Sequence, residues 1–227
     1  MSLPTVLHRV GRPQRRPLAV VDVETSGFDP AEHRVLQVAV TQLDATGAVQ
    51  RVWSTLLDPG CDPGPVHVHG LTRERLAGAP VFADVAPEIA GLLEGRIFVA
   101  HNARFDWRFL QAEAARVGVR FDVAHRLCTC ELAQRLPLGV ADHKLATLAS
   151  HWGIPQVRAH DAVDDTRVLV AVLARLRHLA ERGGTPLPLR RTQSRTRTLL
   201  GRLRRLRRRL LVRDQGATRP AGTGQSR

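Results

Sequence analysis

The 227-residue chain has no tyrosine, three tryptophans and six phenylalanines, and no aromatic residue follows Trp152. The C-terminal segment therefore cannot stack on bases, and whatever it binds must be held by charge or by aliphatic side chains. Cysteine is scarce as well. Cys61, Cys128 and Cys130 give neither an even disulfide framework nor a zinc-ligand spacing, so reduced thiols in a cytoplasmic protein are expected, with Cys128 and Cys130 as core residues. No apolar run approaches the ~20 residues that a membrane-spanning helix needs. The first residues, MSLPTVLHRVGRPQRRP, lack the continuous apolar stretch of a secretory signal. Pro4, Pro13 and Pro17 interrupt any helix there, which makes residues 1–15 an expected disordered basic arm. Lysine is nearly absent: Lys144 stands alone beside 33 arginines, a bias that a GC-rich genome also produces.

What is abundant is positive charge, and it is unevenly placed. Residues 1–185 hold 21 Lys and Arg against 20 Asp and Glu, whereas residues 186–227 hold 13 Arg against Asp214 alone. The body is nearly neutral, at +1, and the tail supplies +12 of the net charge of +13. Within that tail Leu199, Leu203, Leu206 and Leu210 fall on one helical face with arginines around the rest. A basic amphipathic helix of this kind can hold nucleic-acid phosphates, lie on an anionic membrane or dock on a partner. A solvated tail in an arginine-biased protein is the plain alternative.

Between arm and tail, residues 16–184 read as one α/β domain. Leu18–Val23, Val35–Leu43, Val49–Leu57 and Ile97–Ala100 are expected strands, with a hairpin turn at Thr46-Gly47. Thr72 caps a short helix, and further helices are expected over Phe82–Leu93, Phe105–Val117, Leu127–Leu136, Lys144–Trp152 and His160–Arg182. Strands that lead, followed by helices interleaved with strands, imply helices packed on a mixed sheet.

The acidic residues carry the chemistry. Asp22 and Glu24 stand two apart at the end of an apolar strand, so both project from one face of the sheet. Two acids there repel and lose hydration unless a cation sits between them; a solvated strand end is the bland reading. Asp106 opens a helix directly after a strand, where the helix dipole alone would favour an acid. Asp161, Asp164 and Asp165 crowd the start of the last long helix behind His160, which is more acid than capping requires.

Taken together, DVETSG (22–27), HNARFD (101–106) and HDAVDD (160–165) resemble, in order and spacing, the three motifs of the DEDD exonuclease superfamily in its histidine-containing branch. That family includes the proofreading epsilon subunit of bacterial replicative polymerase, ribonuclease T and oligoribonuclease. His69-Gly70-Leu71-Thr72 matches a further element of the family, and the resemblance covers roughly residues 16–182. It implies a ribonuclease H-like fold, a five-stranded mixed sheet flanked by helices. It implies an enzyme that removes nucleoside 5′-monophosphates from 3′ ends of nucleic acid, DNA before RNA. Asp22, Glu24, Asp106 and Asp165 would be its metal ligands, Asp165 because it stands five residues after the motif histidine. Asp164 would be a non-ligand neighbour at the helix dipole. His160 would be the general base. Hard oxygen ligands suit two divalent cations, Mg²⁺ or Mn²⁺. Two such ions about 4 Å apart can activate water and stabilise a leaving 3′-oxygen. An imidazole, with an ordinary pKa of about 6.5, is a suitable base at neutral pH.

Substrate contacts are expected from Thr25, His69, Asn102 and Phe105, with core packing the alternative for Phe105. His101 is expected to be a hydrogen-bonded structural residue. Gln37 stands where many relatives carry an acid on the second strand. A catalytically silent nucleic-acid-binding module on the same fold is the competing reading, and retention of all four acids and His160 opposes it. A polymerase or repair partner stays open, because the tail shows no clear clamp- or polymerase-binding motif.

Overall fold

The structure, a computed structural model, describes residues 16–192. The basic arm at 1–15 and the leucine stripe at 199–210 lie outside the described residues. The described fold belongs to a unit spanning Met1–Arg190; of a second unit, Arg191–Arg227, only Arg191 and Thr192 are described. In chain order the elements are β1 (Leu18–Thr25), β2 (Val35–Leu43), β3 (Val49–Leu56), α1 (Val66–His69), α2 (Arg73–Leu76), α3 (Phe82–Leu93), β4 (Ile97–Ala100), α4 (Ala103–Arg116), β5 (His125–Cys128), α5 (Thr129–Ala133), α6 (Leu145–His151), α7 (Ala162–Arg182) and β6 (Leu189–Arg191).

The strands form one mixed sheet in the order β3-β2-β1-β4-β5-β6. β1 pairs antiparallel with β2 and parallel with β4, which places it at the centre. Its alternation sorts the two faces of the sheet. Ala19, Val21 and Val23 face a core built with Phe82, Ile89 and Leu93 of α3 and Trp107 and Leu110 of α4. Leu18 and Val20 face Leu169 and Leu173 of α7 on the other side. Asp22 and Glu24 continue this second row, so the period of two carries them towards the α7 side of the sheet. Phe98 of β4 meets Trp107 edge-on, ring centroids 5.1 Å apart, which fixes the start of α4 close to the sheet.

The β1–β2 connection is pinned by a buried acid. Glu113 of α4, 1% exposed, accepts both arms of the Arg34 guanidinium at 2.8 and 2.9 Å and the N–H of Val35 at 3.2 Å. Arg116, also paired with Glu113, donates to the carbonyls of Pro30 and Ala31. Removing Arg34 would leave the buried Glu113 carboxylate with less to offset its desolvation, so the network anchors the loop that follows Glu24.

Several expectations are corrected here. The helix expected over Leu127–Leu136 is instead strand β5 followed by the short α5. Apolar residues spaced for a helix also suit a strand, and the pairing of β5 with Phe98–Ala100 decides between them. The sheet has six strands rather than five, because the segment after Gly184 adds β6 at the edge. Finally, α7 starts at Ala162 and not at His160: Asp161 caps it by accepting from the N–H groups of Val163 and Asp164. His160, at φ +63°, stands outside the helix.

Candidate active site

The site lies where the end of β1 meets the first turns of α4 and α7. A bulge between Glu24 and Thr25 ends the regular pairing with β2. Opposite Glu24 on β2 stands Gln37, whose Oε1 accepts the N–H of Ala162 at 3.2 Å and so ties the start of α7 to the sheet. Asp106 sits in the first turn of α4, 3% exposed, and accepts a hydrogen bond from the backbone of Val23. Asp165 sits in the first turn of α7 and is 8% exposed. Its Oδ1 accepts from Gln156 Nε2 at 2.6 Å and its Oδ2 from the N–H of His160 at 3.1 Å.

Among the described residues, one group of potential ligand atoms gathers within 4.8 Å, and it comprises Glu24, His160 and Asp165. Asp22 and Asp106 are not members of that group but interact electrostatically with it. Burial pushes the Asp22 carboxyl well above the ordinary range, and the charges of Asp106, Asp165, Glu24 and Asp161 push the same way. Burial likewise raises Glu24 to about 8, helped by Asp165, Asp106 and Asp161. Asp106 is raised by burial to about 8 although two backbone hydrogen bonds favour its charged form. Asp165 is raised by burial, opposed by Gln156 and the His160 N–H. Four carboxyls held this way do not all ionise near neutral pH by themselves. The set is a charge deficit that protons or cations must fill, and its hard oxygen donors fit Mg²⁺ or Mn²⁺.

The deficit has a consequence for stability. Between about 4 and about 8, Glu24 and Asp106 hold protons in the fold that the unfolded chain has released. The folded state binds more protons, so in EDTA stability should fall as pH rises through that window. Adding Mg²⁺ should restore it most at the alkaline end. Thermal unfolding at pH 5 and pH 8 reads this, with a metal-free difference of at least about 3 °C expected. Asp106→Asn should flatten the dependence. An identical pH dependence in wild type and Asp106→Asn would contradict the assignment.

The expected substrate-contact residues are distributed as follows. His69 is 7% exposed, and both ring nitrogens engage backbone: Nδ1 accepts from the N–H of Leu71 at 3.0 Å, and Nε2 lies 3.2 Å from the Pro63 carbonyl. Burial holds its imidazole below the ordinary range, and the neighbouring charge of His160 acts in the same direction. Thr25 donates its hydroxyl to the Gly27 carbonyl at 2.7 Å. Asn102 precedes α4 at φ +74° and makes no side-chain cap bond. Phe105 is half-buried: it packs on Phe109 at 4.8 Å, against the edge of the core, and leaves part of its ring accessible. His101 bonds Thr129 Oγ1 at 2.9 Å, as a structural histidine would.

Three features escaped sequence reasoning. Phe28, 85% exposed, presents its ring edge-on to Phe105 at 6.5 Å; a large apolar side chain left in water just after DVETSG was the available signal. Glu113 lies 79 residues from Arg34, and nothing local announces their pairing. Gly64, at φ +75°, comes so close to the residue that follows β1 that a Cβ would meet the Ser26 carbonyl at 2.1 Å. The loop leading to His69 can approach the site only with glycine there.

Known proteins share this fold. Residues 19–173 match the RNase T family, described as Exonuclease. The chain belongs to this DEDD 3′–5′ exonuclease family. It is 30% identical over 169 residues to the DNA polymerase III subunit epsilon of Treponema pallidum, covering 72% of this chain and 78% of that one. It is also 30% identical over 168 residues to the DNA polymerase III PolC-type of Thermotoga maritima, covering 73% of this chain but only 12% of that much longer protein. Among solved structures, E. coli exonuclease I in complex with a dT13 oligonucleotide superposes with a TM-score of 0.67 at 20% identity, covering 74% of this chain and 42% of that one. Exonuclease X in complex with 5′ overhanging duplex DNA superposes with a TM-score of 0.58 at 24% identity, covering 71% and 91%. These two likenesses establish the fold. Among the described residues, no helix is long and apolar enough to cross a membrane.

Proposed function

We propose that this chain hydrolyses the terminal phosphodiester at 3′ ends of DNA and releases nucleoside 5′-monophosphates. The observation that carries the reading is the convergence of Glu24, Asp165 and His160 within 4.8 Å, with Asp22 and Asp106 in electrostatic contact. Asp22, Glu24, Asp106 and Asp165 would hold two divalent cations, which supply charge neutralisation at the reacting phosphate and polarise water. His160, exposed and with a ring nitrogen within 4.8 Å of ligand oxygens of Glu24 and Asp165, would accept the proton of the attacking water. The bond between phosphorus and the 3′-oxygen breaks, and the phosphate leaves on the 5′-oxygen of the released nucleotide. Phe28 and Phe105 offer an apolar surface beside the reacting centre for the terminal base.

DNA is preferred as substrate because the epsilon and PolC-type relatives are named for DNA polymerase III. The same names make a replicative polymerase the protein partner to test. Incubation with DNA and RNA oligonucleotides of one sequence should show faster shortening of the DNA; faster loss of RNA would install the exoribonuclease reading instead. Some of the arginines of residues 186–227 are proposed to hold phosphates. Each lost contact on single strands changes the slope of log K against log salt by about 0.7. A chain ending at Thr192 should therefore bind DNA with a shallower salt dependence, and an unchanged slope would remove the tail from the account.

A further inference from the structure

Residues 155–160, which deliver His160 to the site, include no buried side chain, and Val157 is 79% exposed. Val157, Arg158, Asp164 and Arg167 border an open cavity of about 580 Å³ on this side of the molecule. Apolar packing therefore does not fix the segment, and ordering it against chain entropy falls to hydrogen bonds. His160 also stands at φ +63°, a conformation that non-glycine residues adopt only when their surroundings impose it.

Those hydrogen bonds converge on two adjacent carboxylates. Asp165 accepts from Gln156 and from the His160 N–H. Asp164 Oδ2 accepts the N–H groups of Val157 at 2.7 Å and Arg158 at 2.8 Å. Asp164 Oδ1 accepts from Arg167 Nε at 2.8 Å, and Arg167 Nη2 reaches past it to the Pro155 carbonyl. Asp164 and Arg167 sit three residues apart on α7, so a rigid helical turn grips the segment at three backbone points. Helix dipole and capping demand none of these contacts, since Asp161 already caps α7.

We propose that Asp164, braced by Arg167, is a positioning residue for His160, holding the 155–160 segment so that the imidazole meets Glu24 and Asp165. The inference rests on His160 acting as the base. A base displaced by about an ångström loses on the order of 10²-fold in rate. Asp164→Ala should lower kcat roughly 10- to 100-fold. KM for a DNA oligonucleotide and Mn²⁺ affinity by calorimetry should stay near wild type, because the groups that bind DNA and metal are retained. Introduced into His160→Ala, it should cost nothing further, since there is no base left to position. Arg167→Ala, a substitution on a half-exposed side chain, should give a smaller loss that His160→Ala also absorbs; it keeps the test available if Asp164→Ala does not fold.

If His160→Ala itself leaves the rate intact, the base assignment fails and the proposal with it. If His160→Ala slows the reaction while Asp164→Ala and Arg167→Ala do not, only the positioning role is overturned. Losses that multiply in the double variants, or a drop in Mn²⁺ affinity on Asp164→Ala, would likewise overturn it.

Discussion

Replacing Asp22 or Asp165 by alanine is expected to slow exonucleolytic digestion at least ~10³-fold, the scale of losing several kcal/mol of transition-state stabilisation. Burial, and then the charges of four other carboxylates, raise the pKa of Asp22, which is the environment a bound cation would relieve. Asp165 joins Glu24 and His160 in the 4.8 Å group. Loss of activity here should not come from unfolding. Each substitution removes a partly buried acid from a set of mutually repelling acids, so in EDTA the variants should melt at or above the wild-type temperature. Mg²⁺, which should stabilise wild type by binding the folded state, should raise their melting temperatures much less. Near-wild-type digestion by either variant would remove these carboxylates from the chemistry. A lowered melting temperature in EDTA would assign the effect to folding.

His160→Ala is expected to lower the rate by roughly 10²–10⁴-fold, the usual range for a general base. The structure sharpens the alternative, because His160 offers its ring nitrogen within 4.8 Å of ligand atoms from Glu24 and Asp165. As a ligand it would take metal affinity with it when removed; as a base it would not. His160 is exposed and reaches the site from an irregular segment, whereas Glu24 and Asp165 are buried on a strand and a helix. Buried carboxylates on regular elements would make the better cage, and an exposed imidazole would be free to pass a proton to solvent. Calorimetric titration with Mn²⁺ should therefore show similar affinity for His160→Ala and wild type, and a clear loss for Asp165→Ala. Equal losses would make His160 a ligand.

Much of this arrangement is legible in the residues themselves. Phe82–Leu93 and Ile97–Ala100 form as expected, one from apolar spacing and the other from a short apolar run. Asp22 and Glu24 share a face because strands have a period of two. The order of DVETSG, HGLT, HNARFD and HDAVDD carried the family. What escaped depends on partners distant in the chain. Leu127 and Cys128 belong to a strand only because β4 lies alongside, and β6 needs the edge that β5 provides. That both ring nitrogens of His69 engage the surrounding backbone is not legible in HGLT. Asp164 looked like a dipole partner, yet it holds Val157 and Arg158 across a turn. Such contacts leave no periodicity to read.

The central claim is that the carboxylate cluster runs metal-dependent cleavage from 3′ ends. A DNA oligonucleotide labelled at its 5′ end, digested with Mg²⁺ or with EDTA and resolved by length, tests it most directly, with the released nucleotides identified by chromatography. The account predicts a ladder shortening from the 3′ end in Mg²⁺, nucleoside 5′-monophosphates as the released product, and intact oligonucleotide in EDTA. Equal digestion in EDTA, or release of 3′-phosphorylated nucleotides, would contradict it.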